Sequence, residues 1–248
     1  MADPPAPLDF AARLRQLTPA RVALGRVGVS LPTRPMLDFQ LAHARARDAV
    51  HAELPDDAFG TTIGGIPIIE VRSQAADRAT YLRRPDLGRK LAPASGELLA
   101  PAGRDLAIVI ADGLSAAAAL AHGEALTTAL LARMAGWSVA PVVVAHHARV
   151  AIGDEIAARL GAKLVVVLIG ERPGLSAADS VGAYVTWAPR VGRLDSERNC
   201  VSNIRPGGLP IDRAVALVAA IAEGARALGE TGVKLKLTEP ASPPALLR

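Results

Sequence analysis

Three runs of apolar residues constrain this chain more than any other feature: LAIVIA at 106–111, VAPVVVAH at 139–146 and LVVVLI at 164–169. None alternates in polarity, so each predicts a strand buried on both faces, the pattern of a parallel sheet covered by helices. Helical sequence fills the gaps. Ser115 opens an alanine-rich helix reaching about Met134, and a second helix over 154–160 stops at Gly161, a residue suited to the left-handed turn that ends helices. Shorter extended segments are expected at 184–187 and 199–204, and a long amphipathic helix at 211–228 before Gly229. The expected fold is α/β, a Rossmann-like, doubly wound parallel sheet.

The first hundred residues read differently. The segment 34–53 predicts one helix, capped by Thr33, with Pro35 in its first turn and Leu37, Leu41, Ala44 and Ala49 as an apolar stripe. A short strand at 66–71 and a helix at 75–82 follow. So little chain cannot bury that stripe alone, so 1–100 is expected to be an N-terminal helical arm contacting the α/β region or a partner, and 101–248 the Rossmann-like domain. Pro93, Gly96, Pro101 and Gly103 mark the boundary. Residues 1–17 form a Pro/Ala-rich lead into a short amphipathic helix and lack the basic and apolar regions of a secretory signal. One cysteine, Cys200, excludes an internal disulfide framework and points to a reducing, cytoplasmic compartment. The net charge of +4 mixes both signs and does not imply nucleic acid, and no apolar stretch is long enough for a membrane span.

Familiar site chemistry is scarce. The turn after the first strand, DGLSAA, has one glycine where a dinucleotide fingerprint needs three, and no phosphate-binding P-loop occurs. His146 and His147 are adjacent at a strand end, point to opposite faces and are expected at solvent or a partner rather than on one metal. No nucleophile with its base can be assembled, so neither catalytic nor metal residues are assigned. Two stretches stand out. GERPGLSAADS (170–180) ends an apolar strand in a charged, kinked turn, and its GLS echoes the GLS at 113–115 as a second helix start. ERNCVSNIRPGGLP (197–210) is a dense polar loop with little room for regular structure. Both suit a ligand edge, although composition alone leaves a structural reading equally open.

Taken together, VLIGERPGLS, ADGLSA, TWAPR, ERNCVSNIRPGGLP, TPARVALGRVG, LPTRPMLDFQLAHARARDAV and DRATYLRRPDLGRKL resemble the small (light) subunit of ethanolamine ammonia-lyase. The resemblance runs from about residue 18 to about residue 228. It implies an adenosylcobalamin-dependent lyase that converts ethanolamine to acetaldehyde and ammonia through Co–C homolysis and a substrate radical. The substrate chemistry then lies on a large barrel subunit, and this chain closes over the cobalamin. The family's cobalamin contacts map onto Val150, Glu171 and Cys200. D-x-H-x-x-G, which supplies a histidine as lower axial ligand in some cobalamin proteins, is absent, so the cofactor is expected to keep its own benzimidazole. The resemblance leaves free cytosol and a bacterial microcompartment both open as locations. Two rival readings are an atypical nucleotide-binding dehydrogenase, disfavoured by the missing glycines, and a non-catalytic structural or regulatory partner of a barrel enzyme.

Overall fold

The structure, a computed structural model, describes residues 10–18 and 20–236; the expected lead at 1–9 lies outside them. In chain order the elements are α1 (Phe10–Leu17), α2 (Thr33–His51), β1 (Thr62–Ile63), β2 (Ile66–Arg72), α3 (Arg78–Arg83), α4 (Pro93–Glu97), β3 (Leu106–Ala111), α5 (Ala116–Arg133), β4 (Val142–His146), α6 (Ile152–Leu160), β5 (Leu164–Gly170), β6 (Val181–Trp187), β7 (Asn199–Ile204) and α7 (Ile211–Leu228). The fold is α/β. All residues of β3, β4 and β5 are buried, as their unbroken apolar sequence requires.

The sheet has seven strands in the order β1-β2-β4-β3-β5-β6-β7. Only β2, β4, β3 and β5 are paired in parallel; β1, β6 and β7 are antiparallel to their neighbours. The expectation of a parallel sheet is therefore corrected to a mixed one. The reason lies in 171–180. A parallel return needs a crossover of a dozen or more residues, usually a helix, whereas this segment is a loop with Pro173 and Gly174 in it. The Glu171 N–H donates to the Ser180 carbonyl at 3.0 Å and closes it as a hairpin connection. The second GLS accordingly starts no helix. The first does: the Ser115 Oγ accepts from the Ala118 N–H at 3.2 Å and donates to the Ala178 carbonyl at 2.9 Å, tying the head of α5 to the β5–β6 loop.

Alternation along the buried strands divides the core. Leu106, Ile108, Ile110, Val142, Val144 and Val166 pack with α5 and α7, while Ala107, Val109, Val143, Val165 and Val167 pack with α6 on the other face. Gly161 and Gly229 end α6 and α7 in left-handed backbone, at φ of 67° and 74°. β2, from the first hundred residues, pairs along β4.

Two N-terminal details differ from expectation. Thr33 lies inside α2, and Pro32 precedes the helix without a side-chain cap because its ring carries no acceptor, while its φ of −56° suits the helix entry. α3 starts at Arg78, capped by Asp77, whose carboxylate accepts from the Thr80 N–H at 2.6 Å. Ala46 is the only buried residue of α2, and Leu37 and Leu41 are 54% and 51% exposed. No helix among the described residues is long and apolar enough to cross a membrane.

Candidate functional site

In the order β4-β3-β5, the helix after β3 packs on one face and the helix after β4 on the other, so the chain leaves neighbouring strand ends in opposite directions. A crevice opens there, at the carboxyl ends, where ligands of α/β sheets bind. Its walls are the turns 112–115 and 147–151 and the loop 171–180.

A buried ion pair fixes these turns to one another. Asp112, 1% exposed, accepts from the backbone N–H groups of His147 (2.8 Å) and Ala148 (2.9 Å). Arg78, 4% exposed, lies 3.4 Å from that carboxylate and donates to the carbonyls of Gly113 and Val50, both at 2.8 Å. Burial pushes the Asp112 carboxyl up, opposed by the two N–H groups and by Arg78. Tyr81, fully buried, donates to the Ala148 carbonyl at 3.0 Å, and the guanidiniums of Arg78 and Arg149 sit 5.0 and 4.6 Å from its ring centre.

Above this floor Val150, Glu171 and Tyr184 line one hollow of about 410 Å³. Val150 reaches it from the turn before α6 and Glu171 from the residue after β5. The half-buried Glu171 carboxylate accepts from the Asn203 N–H at 3.1 and 3.3 Å, which leaves most of its lone-pair sites free. Burial, with Cys200 and Glu171 nearby, pushes the Tyr184 phenol up to about 12, so it stays a neutral hydrogen-bonding group at neutral pH. Cys200 does not line the hollow. It lies on β7 directly opposite Tyr184 and is exposed. Although the residue is exposed overall, its thiol leans on the Tyr184 phenol, and that partial burial pushes it up, so it is not a thiolate at neutral pH.

Most of the polar density in 197–210 turns inward, and its first half is strand rather than loop. Glu197 pairs with Arg193; Arg198 pairs with Asp154; the Asn199 side chain accepts from the Gly232 N–H at 2.7 Å; Arg205 lies 3.6 Å from Asp179. The strand-end histidines are corrected too. His146 and His147 are buried, 2% and 5% exposed, because β2 and the 73–75 segment cover that end of β4. The His146 Nε2 lies 3.1 Å from Glu70 and 3.8 Å from Asp56. One donor atom from each of Asp56, Glu70 and His146 falls within 4.8 Å of the others, but Arg72 already holds Asp56 and the Asp57 N–H holds Glu70. This is an ion-pair network first.

The sequence model of the ethanolamine ammonia-lyase light chain matches residues 8–236. The chain belongs to that family. A small subunit of ethanolamine ammonia-lyase from Bradyrhizobium diazoefficiens is 56% identical over 244 residues, covering 95% of this chain and 94% of the relative. Those from Rhodococcus erythropolis (48% over 236 residues; 93% and 91%) and Rhodopseudomonas palustris (54% over 230; 90% and 88%) agree. For a light chain of this family, Val150 and Glu171 meet at one crevice and Cys200 stands beside it. Sequence reasoning missed Arg149, Tyr81 and Tyr184. Tyr184 sits in the middle of β6 and Arg149 is one basic residue among others near a strand end, so neither stands out in the sequence.

Proposed function

We propose that this chain is the small subunit of an adenosylcobalamin-dependent ethanolamine ammonia-lyase and holds part of the cobalamin where it meets the large subunit. The observation that carries the reading is the meeting of Val150 and Glu171, far apart in sequence, in one hollow at the sheet's crevice. The residues fit the group. Peripheral corrin amides offer N–H donors, the Glu171 carboxylate retains free acceptor sites, and Val150 supplies an apolar surface against the ring. Cobalamin is much larger than the drug-sized ligands that a hollow of this size encloses, so a second chain must cover the rest. Bound adenosylcobalamin would supply the radical that abstracts hydrogen from ethanolamine; Val150, Glu171 and Cys200 bind and orient, with no role in proton transfer. The parallel strands β3, β4 and β5 support a Rossmann-like reading of 101–248, with 1–100 as an arm that adds β2 to the same sheet.

Glu171→Ala tests the site. One lost hydrogen bond to a charged acceptor is worth roughly 1.5–3 kcal/mol, about ten- to a hundredfold in cobalamin affinity of the assembled complex. Subunit stability is expected to fall by no more than about 1 kcal/mol, because the Asn203 N–H sits at an exposed residue and can bond to water. Unchanged affinity with assembly intact would reduce GERPGLS to a structural turn.

The exposed apolar side of α2 supports the arm as the contact with the large subunit. Replacing Leu37 and Leu41 together by Glu is expected to weaken association with the large subunit by at least about tenfold. Both side chains are already exposed, so the unfolding free energy of the isolated chain should move by less than about 0.5 kcal/mol. Association measured by titration calorimetry decides: unaltered affinity would remove α2 from the interface.

A further inference from the structure

We propose that Arg149 and Arg172 form a clamp for the phosphodiester in the nucleotide tail of cobalamin. The proposal rests on the cobalamin reading above and adds an anion site to it. Both arginines line each of three adjoining hollows, of about 550, 410 and 370 Å³, so together they overlook the whole crevice. Neither guanidinium has a hydrogen-bond or ion-pair partner among the described residues.

For Arg149 that is costly. The residue is partly buried, its guanidinium is stacked 4.6 Å over the Tyr81 ring, and its Nε is sealed from water without an acceptor. A sealed Nε without an acceptor costs stability that an anion held by the same guanidinium would offset. The acids of the crevice do not serve. Asp195 is shared by Arg89 at 4.0 Å and Arg198 at 3.5 Å, and Glu171 makes an ion pair with neither Arg149 nor Arg172, its acceptor sites facing the hollow instead. The ligand anion is best a phosphodiester. It carries one charge on two non-bridging oxygens, matched by two guanidiniums, and brings a ribose and a flat base. Tyr184, Val150 and Ala151, which share the 370 Å³ hollow with both arginines, give that base an apolar wall. A carboxylate of the large subunit is the competing anion.

The test titrates the assembled complex with cyanocobalamin and with dicyanocobinamide, which keeps the corrin and its amides but lacks the nucleotide tail. Arg149→Gln and Arg172→Gln are each expected to weaken cobalamin about ten- to a hundredfold and to leave cobinamide unchanged, whereas Glu171→Ala should weaken both. The ³¹P resonance of bound cobalamin should also move in each arginine variant, a change that loss of packing at a distance would not cause. Arg172 is exposed, so its variant folds even if Arg149→Gln loosens Tyr81. Equal loss for both corrinoids, or an unmoved resonance, overturns the clamp. So does unchanged cobalamin affinity with weakened assembly, the signature of a partner carboxylate. A wild-type complex that holds neither corrinoid overturns the cobalamin reading and the clamp with it.

Discussion

Arg198→Ala is expected to lower the stability of this chain by about 3–5 kcal/mol, the usual cost of removing one partner from a buried ion pair. For a chain of this length that is a fall in melting temperature on the order of 10 °C. The side chains of Arg198 and Asp154 are each 2% exposed and meet in a two-pronged contact, Nη1 to Oδ1 at 2.6 Å and Nη2 to Oδ2 at 2.7 Å. Nη1 also donates to the Thr186 hydroxyl and Nη2 to the Arg193 carbonyl. Without the guanidinium, Asp154 is left buried and uncompensated. Burial already pushes its carboxyl up despite Arg198, and in the variant that push is unopposed by its main partner. A carboxyl with a folded-state pKa above its unfolded value gives stability at low pH that is lost as pH rises through the folded value. The deficit should therefore be smaller at about pH 5 than at about pH 8. Thermal unfolding at the two pH values measures it, and Arg198→Met with Asp154→Leu should recover most of the loss by removing both charges. A deficit below about 1 kcal/mol at both pH values would show that water reaches the pair. The pair also matters to the site, because Asp154 stands in the first turn of α6, four residues after Val150, and Arg198 is two residues from Cys200.

This pair shows where legibility in the sequence ends. The continuous apolar runs of β3, β4 and β5 state their own burial, and Ser115, Gly161 and Gly229 mark helix ends by local chemistry alone. Local chemistry misled at 171–180, where Pro-Gly-Leu-Ser has the form of a helix start. The non-local pairing of Glu171 with Ser180 overrides it and turns β6 antiparallel. ERNCVSNIRPGG looks like a ligand loop for a similar reason: the partners of Arg198 and Arg205, Asp154 and Asp179, are distant in sequence, so polar residues that hold the fold resemble residues awaiting a ligand. Val150 and Glu171 carried no mutual spacing signal. Their link came from resemblance, and the crevice supplies its physical content, the ends of β4 and β5 standing on either side of β3. Arg149 was illegible because what distinguishes it is a missing partner, a property of three dimensions only.

That crevice depends on two glycines. Gly170→Ala is expected to cost about 3 kcal/mol or more, at the upper end for an added methyl group. A Cβ on Gly170 would run into the Asp112 and Ser115 carbonyls, and one on Gly113, whose φ is +55°, would run into the Gly170 carbonyl. These obstacles are backbone, so no side chain can swing aside. The glycine in DGLSAA thus serves an internal contact, the Leu114 N–H donating to the Gly170 carbonyl at 2.9 Å, rather than the approach of a pyrophosphate. Forcing the β3 and β5 ends apart also moves Glu171, the next residue, and Ser115 at the head of α5. Cobalamin affinity of the complex should fall at least as far as in Glu171→Ala, together with stability, whereas Glu171→Ala separates the two. Gly174→Ala is the control in the same loop, with ordinary φ and its nearest neighbour 3.6 Å from the added carbon, and should stay within about 0.5 kcal/mol of wild type. Denaturant unfolding beside corrinoid titration gives both quantities. A Gly170→Ala chain as stable as the Gly174→Ala control would mean that the strand ends can part without penalty, and the crevice would lose its claim to be a preformed site.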